Sequence, residues 1–387
     1  MTAPLDTSTL STNPIFAMAE RAEALRASGV DVITLAAGEP EAATAEHVVA
    51  AAVAAARTAS THHYGTAAGH PALRALIAAK AADTHRIDIN TNDVQVTVGT
   101  KHALHLALRA VTRPGDEVLT VRPGWPGHRE CIESVDAHAV MVDTDDRFLI
   151  DTAALQAART NHTRSLILAN PANPTGAVHA PDRLASIAQW CLDNDVWLIC
   201  DEIYDAFIYA GAAVPALAVA PQAASRIIVV NGVSKVHAMT GWRVGWLFGP
   251  NEIVSGAREQ LGRTITHVPQ LTQIAALAAL GDDATPARAV DTYRRNRDML
   301  VHHLNGIPGI DCPLPGGGMF AFPDVSGLLN REHWSDTADL ADWLLTHAHV
   351  AVVAGHAFGS EHHLRLNFTL SPDRLNEAAH RLVSALT

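Results

Sequence analysis

Residues 231–246 read Asn-Gly-Val-Ser-Lys-Val-His-Ala-Met-Thr-Gly-Trp-Arg-Val-Gly-Trp, and they follow the apolar run 227–230. This run is rich in β-branched residues and predicts a buried strand. Ser234 and Lys235 come shortly after that strand, and Arg243 follows eight residues after Lys235. A lysine against a core strand is costly to bury as an ammonium, and a Schiff base with an aldehyde would relieve that cost.

The planar guanidinium of Arg243 suits a phosphate group. A lysine, an arginine and a hydroxyl in one loop together suggest pyridoxal phosphate as a ligand. An alternative interpretation, a loop that only carries surface charges, stays open on these residues alone.

The composition restricts the class of protein. A length of 387 residues predicts two domains. The net charge of -12 argues against a nucleic-acid partner, because phosphate binding needs a basic face. The four cysteines are scattered, with neither a disulfide framework nor zinc spacing, which is typical of a reducing cytoplasm.

Targeting and metal signals are not recognisable in the sequence. Residues 1–13 lack the basic start and apolar middle of a signal peptide, and no apolar run is long enough to span a bilayer. The 22 histidines include no His-Glu-x-x-His pattern, so we expect no metal site. These features predict a cytoplasmic protein that has no membrane partner.

From residue 94 onward, short apolar runs alternate with helical patterns. Strands are predicted at 94–98, 117–121, 166–169, 196–200 and 227–230. This alternation predicts an α/β fold, in which a mainly parallel central sheet carries helices on both faces. After a long helical section at 251–305, short strands at 316–323, 350–353 and 364–368 and helices at 337–347 and 372–386 predict a smaller α+β domain. The expected domains are an arm (1–14), the first part of the small domain (15–47), a large cofactor-binding domain (48–285) and the rest of the small domain (286–387).

Polar residues follow the ends of successive predicted strands, where ligands bind in open α/β sheets. They are Gly99-Thr100-Lys101, Trp125, Asn173, Asp201 with Tyr204, and Ser234-Lys235. The set suits one aromatic, phosphorylated ligand, because helix-start amides bind anions, a tryptophan stacks on a ring and a buried carboxylate needs a cation. Each residue also has an ordinary interpretation, since Trp125 could be a core residue, Asp201 a helix cap and the Asn-Pro segment a turn.

The sequence resembles the class I aminotransferases of pyridoxal-phosphate fold type I, most closely the bacterial branch similar to aspartate aminotransferase. The resemblance extends from about residue 13 to the end of the chain. Its motifs are Gly38-Glu39-Pro40, Tyr64 with Ala67-Ala68-Gly69, residues 96–101, residues 170–176, Asp201-Glu202-Ile203-Tyr204, Ser234-Lys235 through Gly241-Trp242-Arg243, and residues 352–359.

The resemblance implies an enzyme that moves an amino group from an L-α-amino acid to a 2-oxo acid. Lys235 would form the Schiff base with pyridoxal phosphate and carry the proton, assisted by Asp201 at the pyridine nitrogen. The resemblance implies these further cofactor contacts: Asn173 and Tyr204 at the ring oxygen, Trp125 on the ring, and Gly99, Thr100, Lys101, Ser234 and Arg243 around the phosphate.

The resemblance also implies substrate contacts and a partner. Arg365 would bind the substrate carboxylate, with Gly38 and Asn173 beside it. Tyr64 would reach the phosphate of a neighbouring subunit, which requires a homodimer with shared active sites.

Some positions depart from the family pattern. The segment 41–44 reads Glu-Ala-Ala-Thr and lacks the usual aromatic residue, and 13–16 reads Asn-Pro-Ile-Phe, so an apolar or enlarged side-chain pocket is expected. His128 and His356 stand where other residue types are common. An alternative activity on the same scaffold is cyclisation, elimination, replacement or oxidation of an amino acid, because those reactions need the same cofactor residues.

Overall fold

A computed structural model of the chain describes residues 14–211, 214–329 and 334–387. The α-helices, α1 to α14 in chain order, are Pro14–Ala27, Glu46–Ala56, Pro71–His85, Gly99–Val111, Pro126–Glu133, Thr152–Ala158, Pro181–Asp193, Ala216–Val219, Asn251–Thr264, Gln270–Leu280, Ala284–Asn305, Ser326–Leu329, Thr337–Trp343 and Pro372–Leu386. The strands, β1 to β12, are Ile33–Thr34, Val94–Thr97, Glu117–Arg122, His138–Asp143, Thr163–Ala169, Trp197–Asp201, Ile227–Gly232, Gly245–Phe248, Phe320–Ala321, Val350–Ala351, Val353–Ala354 and Leu364–Asn367. Almost all of the predicted N-terminal arm lies outside the described residues.

The chain forms two compact units. The larger unit contains Glu39–Arg295 and Pro315–Met319, and the smaller unit contains the remaining segments up to Thr387. The domain boundaries expected from the sequence stay predictions.

A sheet of seven strands forms the centre of the larger unit in the part of the chain that the structure describes, in the order β2-β8-β7-β6-β5-β3-β4. Every strand runs parallel to the others except β8, which is antiparallel to both β2 and β7. The expectation of a mainly parallel sheet is therefore confirmed, and each of the five predicted strands is present.

Strand β8 was not predicted from the sequence, and helices α9, α10 and α11 were predicted as one long helical section. Strand β8 has only four residues and begins with a glycine, so it offers little periodicity to recognise. The section 251–305 contains α9, α10 and α11, which are separated by short breaks at 265–269 and 281–283.

Burial on both faces explains the apolar composition of the central strands. Val229, Ile199 and Leu166 are fully buried in neighbouring strands, and α4 packs against β7 and β8 while α7 packs against β6. Each such side chain contributes roughly 1.5–3 kcal/mol to stability when it leaves water. The sheet is therefore a rigid support for the residues that follow its strands.

The smaller unit contains two short sheets. Strands β1 and β10 are parallel, and β11, β12 and β9 form an antiparallel sheet. The predicted strand at 316–323 was too long, because three consecutive glycines precede β9 and Gly318 has a φ of +75°. The predicted helix at 337–347 is α13 followed by a π-helical turn at Leu344–Ala348. Of the helices in the described residues, none combines the length and the apolarity that crossing a membrane requires.

We predict that Gly69→Ala destabilises the larger unit. Gly69 has a φ of +103°, and a Cβ atom there would lie 2.5 Å from Cγ2 of Val96 in the buried strand β2. Backbone strain and overpacking together should cost roughly 2–4 kcal/mol. Chemical denaturation followed by circular dichroism measures this loss.

Gly256→Ala in α9 is the matched control, because a Cβ atom at Gly256 would meet no atom within 4 Å beyond its own stretch of helix. An alanine inside a helix should stabilise the protein by about 0.5–1 kcal/mol. Equal stability of Gly69→Ala and wild type would contradict the steric argument.

Candidate active site

The ends of the central strands bring the polar motifs to one edge of the sheet. Strands β2, β3, β5, β6 and β7 are mutually parallel, so their carboxyl ends share an edge, and the antiparallel strand β8 begins there. Asp201 ends β6 and is paired in register with Val230 of β7, which leads to Lys235. Arg243 lies in the connection from β7 to β8, directly before β8, and therefore reaches the same edge.

Three glycines form a closely packed floor at this edge. A Cβ atom on Gly99 would lie 2.5 Å from Nη2 of Arg243, and one on Gly232 would lie 2.6 Å from Oγ1 of Thr100. A Cβ atom on Gly245 would lie 2.6 Å from the backbone nitrogen of Thr100. Backbone and guanidinium therefore approach each other where any larger residue would separate them.

Thr100 has a polar atom suited to a ligand. Its Oγ1 atom is buried and has no hydrogen-bond partner among the described residues. Thr100 also lies in the first turn of α4, where backbone N–H groups favour an anion. The glycine floor, this hydroxyl and Arg243 together fit a phosphate group.

Asp201 is held by a residue that the sequence analysis did not assign. Its Oδ2 atom lies 3.1 Å from Nε2 of His128, and its Oδ1 atom accepts a hydrogen bond of 3.2 Å from the backbone N–H of Ile203. Asp201 and His128 are only 4% and 2% exposed. Because a carboxylate accepts hydrogen bonds, the geometry places the imidazole proton on Nε2. His128 follows Trp125 by three residues at the start of α5, but this spacing gives no signal in the sequence for its contact with Asp201.

Trp125 lies beside this pair. Its ring and the His128 ring make an edge-to-face contact with centroids 5.3 Å apart. A Cβ atom on Gly127 would lie 2.3 Å from the Trp125 ring, so the indole packs directly on that backbone. The glycine thus lets the ring occupy this position.

Two more predicted residues lie close together. Nδ2 of Asn173 is 3.4 Å from the hydroxyl oxygen of Tyr204, and both side chains are buried. Ser234 is buried and Lys235 half-buried, and their carbonyls accept hydrogen bonds from Met239 and Ala238. The local turn after β7 therefore fixes the backbone of the lysine.

Burial favours the neutral form of Glu202, the acidic residue next to Asp201. Desolvation raises the pKa of Glu202 well above its usual value, with smaller contributions from Asp205 and Asp201. Oε2 of Glu202 lies 3.3 Å from Nε2 of His85, a ring whose burial lowers its pKa to about 4.

Two predicted residues are more exposed. Nζ of Lys101 lies 2.6 Å from Oε2 of Glu130 and 5.6 Å from the Trp125 ring centroid. Tyr64 is 85% exposed and touches His267 edge-to-face, with centroids 5.7 Å apart.

Gly38 and Arg365 belong to the smaller unit. Arg365 is 1% exposed, donates a hydrogen bond of 2.9 Å from Nη2 to the Ala36 carbonyl, and has its guanidinium carbon 4.2 Å from the Phe320 ring and 4.7 Å from the Phe358 ring. Contacts with both rings orient the guanidinium. His356, which departs from the family pattern, is exposed in the same unit.

Comparison with known proteins shows the family of the chain. The family model described as aminotransferase class I and II matches residues 30–382. The chain belongs to the aminotransferase class I and II family. The aspartate aminotransferase of Streptomyces avermitilis is 37% identical over 386 residues, which cover 98% of this chain and 95% of that protein.

Solved structures of the family have the same fold. The aspartate aminotransferase of Rhizobium meliloti superposes with a TM-score of 0.93 at 30% identity, covering 100% of this chain and 99% of that one. The aspartate aminotransferase of Thermus thermophilus with maleate gives a TM-score of 0.90 at 32% identity, covering 97% of both chains. The expected fold type, enzyme class and cofactor are therefore confirmed: the chain is a pyridoxal-phosphate-dependent aminotransferase that acts on amino and 2-oxo acids.

We predict that His128→Phe lowers kcat/KM of this aminotransferase by roughly 10- to 100-fold, because a buried carboxylate loses a charge-assisted donor. His128→Gln retains a donor near the Nε2 position and should recover most of the loss. Steady-state kinetics at saturating cofactor measures the effect.

The control is His138→Phe, which changes an exposed histidine of β4. It should keep wild-type kinetics. A wild-type kcat/KM in His128→Phe would show that the contact with Asp201 has no catalytic importance.

Proposed function

We propose that this aminotransferase takes L-aspartate as amino donor and a 2-oxo acid such as 2-oxoglutarate as acceptor. The main support is that relatives matched over nearly their full length are named aspartate aminotransferases. The solved Thermus thermophilus relative contains maleate, a dicarboxylate of the same carbon number as aspartate.

In this proposal, the larger unit holds the cofactor. Thr100, Ser234 and Arg243 bind its phosphate together with the amides that begin α4. Asp201 pairs with the pyridine nitrogen, and its hydrogen bonds from His128 and Ile203 fix the carboxylate for that contact. The remaining contacts follow the sequence analysis: Gly99 and Lys101 near the phosphate, Trp125 on the ring face, and Asn173 and Tyr204 at the ring oxygen.

Lys235 performs the proton transfer. When bound, pyridoxal phosphate supplies an aldehyde that links to amino groups and a ring that accepts the electron pair released at the substrate α-carbon. Nζ of Lys235, as a neutral amine, would take the proton from the substrate α-carbon and hold it for return later in the reaction. Asp201 favours this transfer because its negative charge stabilises a protonated ring nitrogen.

The substrate carboxylates need two cations. Arg365 binds the α-carboxylate through two parallel hydrogen bonds, with Gly38 and Asn173 nearby, and the contacts with Phe320 and Phe358 support a fixed guanidinium plane. Lys101 meets the distal carboxylate of aspartate. Its ion pair with Glu130 is partly solvent-exposed, and such pairs contribute little to stability. Replacing the Glu130 carboxylate by the substrate carboxylate therefore costs little free energy.

We also propose a homodimer in the cytoplasm. Tyr64 is 85% exposed in the single chain, and Val53 and Ile265 are exposed apolar residues of the same unit. A partner subunit would cover such side chains and receive Tyr64 at its phosphate site. All four cysteines are free and buried, which is compatible with a reducing compartment.

The test of the substrate is a single half-reaction. The purified enzyme is mixed with L-aspartate, L-leucine or L-phenylalanine in turn, and conversion of the cofactor to its aminated form is followed by absorbance. We expect conversion to be fastest with aspartate and reversed by 2-oxoglutarate. Fast conversion by leucine or phenylalanine without conversion by aspartate would overturn the proposed donor, and release of ammonia would favour elimination chemistry.

We predict that Lys235→Ala abolishes covalent cofactor attachment and turnover. The chain has only three lysines, Lys80, Lys101 and Lys235, so the attachment site can be mapped without ambiguity. Borohydride reduction of the wild-type enzyme should add the cofactor mass to the peptide that contains Lys235.

Lys80→Ala is the control, because Lys80 pairs with Asp283 on the surface, and it should retain the labelled peptide. Labelling at Lys80 or Lys101 in the wild type, or repeated turnover by Lys235→Ala, would refute the assignment.

We predict that Arg365→Lys raises KM for aspartate and lowers kcat/KM by about 10²- to 10³-fold while cofactor stays bound, because lysine keeps the charge but loses the parallel hydrogen bonds. Arg374→Lys, at a partly exposed arginine of α14 that pairs with Asp31, should behave as wild type. An unchanged KM in Arg365→Lys would exclude the carboxylate role.

A further inference from the structure

The chain between Lys235 and Arg243 includes a loop, residues 238–242. Hydrogen bonds connect this loop to the segment 39–44 of the same unit. We propose that Thr44 is a positioning residue for cofactor binding, because its hydroxyl fastens both ends of this loop and so sets the place of Arg243. The inference rests on the proposed role of Arg243 at the phosphate.

One hydroxyl makes both contacts. Oγ1 of Thr44 donates a hydrogen bond of 2.7 Å to the carbonyl of Ala238 and accepts one of 3.0 Å from Nε1 of Trp242. Ala238 begins the loop and Trp242 ends it, directly before Arg243. The two contacts therefore fix the distance between the loop ends through a single side chain.

The backbone on both sides needs such support. Ala238 has a φ of +51° and Arg243 a φ of +57°, a region that residues with a side chain rarely adopt. Conformations of this kind persist when surrounding contacts hold them. The carbonyl that Thr44 binds belongs to Ala238 itself, so the hydroxyl acts on one of the two strained residues.

Arg243 depends on the shape of the loop. Its Nη1 atom donates a hydrogen bond of 2.8 Å to the carbonyl of Thr240, within the loop. The hydroxyl of Thr240 in turn donates to Oε2 of Glu39 at 2.5 Å. A shift of the loop would therefore carry the guanidinium away from Gly99, against which Nη2 lies.

Packing alone does not hold the loop against the segment 39–44. A cavity of about 480 Å³ lies there, lined in part by Ala42, Ala43 and Gly241. These small side chains offer little contact area. Hydrogen bonds, above all those of Thr44, are what connect the two segments across this space.

The test compares Thr44→Val with Thr44→Ser in the full-length enzyme. Valine keeps the shape of threonine but can neither donate nor accept, whereas serine keeps the hydroxyl. Equilibrium dialysis against pyridoxal phosphate gives the Kd of the cofactor. We expect Thr44→Val to raise this Kd roughly tenfold, since two part-buried polar partners lose their hydrogen bond, and Thr44→Ser to stay within about twofold of wild type.

Kinetics separates positioning from general damage. At saturating cofactor, Thr44→Val should regain a kcat within about twofold of wild type, which a misfolded protein would not. Thr272→Val is the control in the same cavity, because its hydroxyl bonds only to Pro269 among the described residues, and it should leave the Kd unchanged.

Two results would overturn the proposal. A folded Thr44→Val with the wild-type Kd refutes the positioning role even if Arg243→Ala weakens cofactor binding as expected. An unchanged Kd in Arg243→Ala refutes the phosphate role of Arg243, and the role of Thr44 with it.

Discussion

The carboxylate of Asp201 lies buried at the end of β6, where a negative charge is costly unless polar groups surround it. His128 and the backbone N–H of Ile203 supply two hydrogen bonds, and the third partner that we propose is the ring nitrogen of the cofactor. Glu202 is immediately next in the chain, and burial raises its pKa well above the usual value, which favours its neutral form. The rest of the site is arranged around this one group.

The topology of the sheet explains how distant segments meet there. Parallel strands deliver their following loops to one edge, and the single antiparallel strand delivers the residues that precede it. Arg243 comes to this edge directly before β8, whereas Thr100 and Ser234 come to it directly after β2 and β7. Gly99, Gly232 and Gly245 let these segments approach more closely than side chains would allow.

Much of this could be predicted from the sequence, because buried parallel strands are continuous apolar runs and the polar residues that follow them are easy to place. The predicted strand at 227–230 and the helix at 372–386 illustrate this, since both are present. The parts that were missed depend on tertiary contacts. His128 was recognised only as a departure from the family pattern, without a partner, and Thr44 followed two alanines that drew attention only to a missing aromatic ring. Nothing local to either residue indicates its partner, which lies 73 residues away for His128 and 194 for Thr44.

The scarcity of lysine has a practical consequence. Lys80 and Lys101 are partly exposed and each forms an ion pair with an acidic neighbour, while Lys235 is half-buried at the sheet edge. Amine-reactive dyes, cross-linkers and activated resins therefore meet very few attachment points on the described surface. Among the lysines, labels would attach mainly at Lys80 and Lys101, whose side chains are the more exposed, so the enzyme can be tagged at few and known positions.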